Sequence, residues 1–237
     1  MLHDTFVLKG NFLFTPTPDQ LALHPDSYLL CEEGRTAGLF PQLPEAYRDL
    51  PLHDHGDKLV LPGLVDLHVH ASQYAFRGMG MDLELLDWLE SNTFPEEGKF
   101  ADPVYAQAAY EIFVRDLTRS ATTRACVFAT IHRPATLALM RMLEEAGLPC
   151  LVGKVNMDRN SPDFLRETTQ ASLEETRQWL AESAAFSLVR PILTPRFIPS
   201  CSDELMAGLG QLQREFGLPA QSHLSENLSE IQWVADL

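Results

Sequence analysis

"LPGLVDLHVHASQ", residues 61–73, decides how the rest of the chain is read. It reads as an apolar strand ending on two histidines, His68 and His70, two positions apart. Side chains along a strand alternate faces with period two, so both imidazoles share one face, with Asp66 two residues further back on it. Paired imidazoles at a strand end suit a single cation.

Beyond residue 60, strand-like apolar runs alternate with helical stretches. "PVYAQAAYEIFVRDLTRS", "RPATLALMRMLEEAG", "LEETRQWLAESAA", "SDELMAGLGQLQREFG" and "NLSEIQWVADL" carry helical patterns. Strands are expected near 65, 125, 152, 190 and 221. Gly147 and Gly217 sit where helix C-caps belong, and Ser202 precedes Asp203 and Glu204 as an N-cap would. Alternating strands and helices imply βα units around a parallel sheet. A dinucleotide fold would need G-x-G-x-x-G after a strand, and "RGMGMD" lacks the third glycine. In a (β/α) barrel, functional groups gather at the C-terminal ends of the strands. His68 and His70 lie there, as does His223 in "AQSHLSE", so the fold expected is an α/β, partial TIM-like barrel over residues 61–237. About five of eight units are present.

Residues 1–60 read as shorter strands and turns. "TFVLKGNFLFTP" fits a bent strand, and "SYLLCEEGRTAGLF" fits two strands joined at Glu33-Gly34. "HDHGDKL" reads as a polar turn carrying His53 and His55 in a solvated loop, and His3 and His24 read as surface residues.

The formal charge of −15 excludes a phosphate-backbone binder, which needs clustered Lys and Arg. No basic-then-apolar leader and no membrane-length apolar run is visible. Cys31, Cys126, Cys150 and Cys201 form no C-x-x-C pair, which fits a reducing cytoplasm.

Three histidines at strand mouths offer three nitrogen ligands to one metal, and catalytic zinc leaves a position open for water. Glu226, three residues after His223, could move a proton between that water and a leaving group. His132 in "ATIHRP" ends another strand, where a pocket role and a core role are both open.

"PGLVDLHVHASQ" resembles the P-G-x-x-D-x-H-x-H signature of the amidohydrolase superfamily. "DLHVHASQYAFRGMGMDLELLDWLESNTFPEE", "TTRACVFATIH", "VGKVNMDRNSPDFLRET", "LTPRF" and "SHLSEN" resemble, in order, the guanine deaminases within it. That resemblance implies hydrolysis of guanine to xanthine and ammonia on a metal-bearing barrel, with residues 1–60 as the N-terminal part of a small β-sandwich. It implies zinc, with ferrous iron open, on His68, His70 and His223. Glu226 would relay the proton to the departing amine, and Gln73, Arg196 and Phe197 would hold the purine, with His223 beside them. It also implies a homodimer.

A stacking ring, a donor fork and a two-way amide suit a purine. The residues alone leave Arg196 equally open as a surface ion pair and Phe197 as core. Two-metal members of the superfamily the chain resembles bridge their metals with a lysine ending the fourth strand; here Arg196 ends that strand and Lys154 belongs to the third, so the resemblance implies a mononuclear site. The family's later metal histidine and aspartate have no counterpart, so the chain is expected to be a fragment with little activity alone. Another aminohydrolase substrate, a triazine or pterin, or a non-catalytic remnant are the alternatives. Ala121 and Arg124 depart from the family's usual Gly-Thr-Thr turn.

Overall fold

The computed structural model describes residues 5–237, so His3 lies outside the described residues. Two compact units divide the chain, Met1–Gly63 and Leu64–Leu237. No helix among the described residues is long and apolar enough to cross a membrane.

The first unit is one four-stranded sheet in the order β3-β2-β1-β4. β1 (Phe6–Thr17) pairs antiparallel with β2 (Gln20–Glu32), which pairs antiparallel with β3 (Arg35–Phe40) across the Glu33-Gly34 turn. β4 (Leu52–Val60) lies parallel to β1. That corrects the "HDHGDKL" turn, which is strand. Its pattern misleads because nearly every residue of β4 is exposed, leaving no apolar alternation to read. His53 and His55 are solvent-exposed, but on a strand and not in a loop.

In the second unit, β5 (Leu64–His70), β6 (Thr122–Phe128), β7 (Leu151–Gly153) and β9 (Arg190–Pro191) form an all-parallel sheet in that order. β8 (Val155–Asn156), just after β7, pairs parallel with β10 (Thr194–Pro195), just after β9. Short helices α1 (Leu85–Trp88) and α2 (Phe94–Gly98) follow β5. α3 (Pro103–Thr118), α4 (Arg133–Glu145), α5 (Thr169–Ser183) and α6 (Asp203–Phe216) connect successive strands, and α7 (Leu228–Asp236) comes last. This is an α/β arrangement with an open parallel sheet, part of a barrel that does not close.

The caps fall where the sequence puts them. Ser202 accepts from the Leu205 N–H at the start of α6, and Gly217 takes φ +64° just past its end. The fourth strand is interrupted for a reason visible in its residues. Pro191 and Pro195 have no N–H to give the ladder, so β9 and β10 are two residues each. The fifth strand expected near residue 221 appears only as two isolated parallel bridges, Leu193 to Ala220 and Phe197 to His223. Gly153 permits a close approach of the Thr194 side chain to β7, since a Cβ at that glycine would meet Thr194 Oγ1 at 1.7 Å. Ala121 does not adopt a positive φ, so its departure from glycine carries no backbone strain.

Burial divides into two clusters. One, between strands and helices, contains Tyr110, Val127, Leu139, Met140, Leu143, Val152, Trp179, Val189 and Leu205. The other, at the C-terminal strand ends, contains Leu89, Phe94, Phe128, Val155, Met157 and Phe197. The second cluster underlies the site.

Candidate active site

His68 and His70 leave the end of β5 as the alternation requires, their ring centroids 5.2 Å apart. His223 reaches them across 153 residues of sequence, its Nε2 lying 2.9 Å from that of His70. One ligand nitrogen from each of these three residues lies within 4.8 Å of the others. His68 is exposed, and the other two are half-buried.

The tautomer of His223 follows from its partner. Its Nδ1 stands 2.7 Å from the Arg196 carbonyl oxygen, which can only accept, so Nδ1 carries the proton and the Nε2 of the neutral ring keeps its lone pair. A second bond, from the His223 N–H to the same carbonyl at 3.0 Å, fixes the backbone. Burial pushes His223 down to about 4, with the nearby Arg196 charge adding to it against the hydrogen bond. Burial, then the charges of His223 and Arg196, holds His70 well below the usual histidine range. Burial thus favours the neutral ring at His70 and His223, and a neutral imidazole is the donor a divalent metal takes, since a ligand must be deprotonated to bind.

Phe128, fully buried at the end of β6, forms the floor of this cluster. Its ring centroid lies 4.5 Å from that of His70, nearly parallel to it, 4.5 Å from that of His223 and 5.0 Å from that of His68. Sequence reasoning missed it, because a phenylalanine ending an apolar strand looks like ordinary core.

These histidines open on a cavity of about 190 Å³, lined also by Gln73, Leu85, Trp88, Leu89, Arg196, Phe197, Glu226 and Glu230. Gln73 comes from the turn after β5, and Arg196 and Phe197 follow Pro195 where the ladder stops. The surface ion pair left open for Arg196 does not occur. Arg196 is buried and pairs with buried Glu97 of α2, its guanidinium 5.3 Å from the centre of the Phe94 ring. Glu97 Oε1 also accepts from Gln73 Nε2 at 3.0 Å. Truncating one partner of a buried pair strands the other charge, at a cost of about 3–5 kcal/mol. Phe197 is buried, yet its ring lines the cavity and meets Trp233 edge-on at 6.2 Å.

Glu226 stands at the rim on a tight loop. Ser225 before it takes φ +58°, a left-handed conformation costing on the order of 1 kcal/mol outside glycine. Buried Glu230 holds that loop, accepting from the N–H groups of Ser225 at 3.2 Å and Glu226 at 2.6 Å. Partial burial, then the Glu230 charge, raises the Glu226 carboxyl above its usual value. A carboxyl beside the histidine cluster is a group that can accept a proton and return it.

His132 is not in this cavity. It precedes α4 and lines a separate one with Arg133, Glu167 and Glu175. Lys154 is fully buried and gives its Nζ to Glu167 at 2.9 and 3.0 Å, not to the histidine cluster.

The model of the amidohydrolase family matches residues 59–236. The chain belongs to the amidohydrolase family. It is 47% identical over 186 residues to a guanine deaminase of Dictyostelium discoideum, a match covering 78% of this chain and 41% of that one. It is 42% identical over 198 residues to the guanine deaminase of Homo sapiens, covering 82% of this chain and 42% of that one. A crystal structure of guanine deaminase from C. acetobutylicum, with guanine in its active site, superposes with a TM-score of 0.95 at 46% identity. That match covers 98% of this chain and 56% of the other. The chain thus spans about two fifths of these two curated relatives.

Proposed function

We propose that this cavity binds guanine and that its residues serve hydrolytic deamination to xanthine and ammonia, with zinc held by His68, His70 and His223. The supporting observation is the convergence of those histidines with Gln73, Arg196, Phe197 and Glu226 on one cavity. The identities to guanine deaminases favour guanine over other amino-heterocycles. When bound, the metal would supply Lewis-acid polarisation and acidify a water.

The chain's own groups then divide the work. Phe197 offers a ring face to the purine, and Arg196 and Gln73 offer donors and an acceptor to its edge. Glu226 takes the proton released as a C–O bond forms at the amine-bearing carbon. It returns that proton to the nitrogen as the C–N bond breaks, so ammonia leaves neutral. Its place in the cavity beside His223 supports that role for Glu226.

Equilibrium dialysis of the zinc-loaded chain against guanine, with ammonia measured alongside, tests the reading. Guanine is expected to bind while adenine does not. Ammonia release is expected well below the roughly 1–1000 per second of ordinary enzymes, and to fall a further 100-fold or so in Glu226→Gln. A chain that binds no guanine contradicts the proposal. One mole of iron retained in place of zinc would overturn the choice of metal alone.

A further inference from the structure

We infer that Glu97 is a positioning residue that selects which purine edge the cavity accepts, an inference that rests on the guanine reading above. Glu97 is buried and touches both edge-reading side chains, Gln73 through Oε1 and Arg196 through Oε2. Facing a guanidinium, its carboxylate serves as an acceptor on both oxygens. An acceptor-only partner obliges the Gln73 carboxamide to commit its NH2 to Glu97, which turns its carbonyl oxygen the other way. Arg196 commits one N–H in the same manner and keeps the rest of its donors.

The cavity is therefore offered an acceptor from Gln73 and donors from Arg196. Its complement is a lactam edge, a ring N–H beside a carbonyl acceptor. Guanine has such a lactam edge. 2-Aminopurine, which keeps the amine but lacks the 6-oxo group, has lost both the carbonyl and the adjacent N–H. With glutamine at position 97, an amide could instead donate to the Gln73 oxygen, and the Gln73 carboxamide would be free to invert.

Equilibrium dialysis of the zinc-loaded chain against guanine and against 2-aminopurine tests this. The wild-type chain is expected to prefer guanine by about 100-fold, because a site built for hydrogen bonds rejects an analogue that leaves them unpaired. Glu97→Gln is expected to reduce that preference to less than about tenfold, within the 10–100-fold effect of losing a supporting hydrogen bond. Gln73→Leu, which removes the acceptor at a half-buried position, is expected to lose the preference likewise. It carries the test if Glu97→Gln does not fold.

Equal weakening of both ligands in Glu97→Gln would mean a merely structural role and overturn the inference. So would an unchanged preference in either variant, or no preference in the wild type. A wild-type chain that binds neither purine overturns the guanine reading, and this inference with it. A selective wild type with an equally selective Glu97→Gln overturns only the role of Glu97.

Discussion

Between the parallel strands and their covering helices, Trp179, Leu139, Met140, Leu143 and Val152 are sealed in an apolar layer. At the C-terminal ends of the same strands, Arg196, Glu97, His70 and His223 sit among Phe128, Phe94 and Phe197. The first region gains free energy from area removed from water, and similar side chains could share that task. In the second, each polar group has a named partner, and its loss leaves something buried and unpaired. Stability is concentrated in one place and chemical orientation in the other, a few residues along each strand.

Replacing Trp179 by alanine should break the first region hardest. The indole is fully buried and its N–H points at Met140 Sδ, 3.3 Å away. A loss of about 3–5 kcal/mol is expected in urea unfolding, set by the cavity left behind. A loss under 1 kcal/mol would mean that the helices do not hold the sheet as described.

Phe128→Ala sharpens the contrast, because Phe128 ends an apolar strand yet belongs to the second region. The variant is expected to lose about 3 kcal/mol of stability. It should also bind zinc roughly 10–100-fold more weakly, since the rings it supports lose their floor. Competition with a chromophoric chelator measures the second effect. Unchanged affinity would separate the floor from the ligands.

The smallest effect lies far from the cavity. Glu144, in the last turn of α4, accepts from the Ser187 hydroxyl and from the backbone N–H groups of Ser187, Leu188 and Val189. The Ser187 hydroxyl bond, then the Val189 N–H, lowers its carboxyl from 4.5 to about 2. A carboxyl depressed in the folded state stabilises above its unfolded value, and that stability is lost as pH falls. Melting temperature should therefore drop between pH 4.5 and 2, and Glu144→Gln should start lower and flatten that drop. A variant with an unaltered acid profile would place the acid sensitivity elsewhere.

The sequence disclosed whatever depends on near neighbours. His68 and His70 are legible from strand periodicity, and α6 from Ser202 and Gly217 at its ends. It did not disclose Glu97, which meets Gln73 across 24 residues and Arg196 across 99. Within "TFPEEG" that residue looks like one acid of a solvated pair. Glu230 hid similarly among the polar positions of a terminal helix. The strand Leu52–Val60 was misread because a strand exposed along nearly its whole length has no buried face to print on its sequence. Long-range polar partners leave no periodic signal, so the resemblance to a family could name residues that line the cavity but not those that hold them in place.

The most direct test of the account is zinc K-edge X-ray absorption on the chain loaded with one equivalent of zinc, beside His70→Ala. Three imidazole nitrogens at about 2.0–2.1 Å from the zinc are expected, with that histidine signature reduced in the variant. A spectrum dominated by sulfur, or by oxygen alone, or one that His70→Ala leaves unchanged, would contradict it.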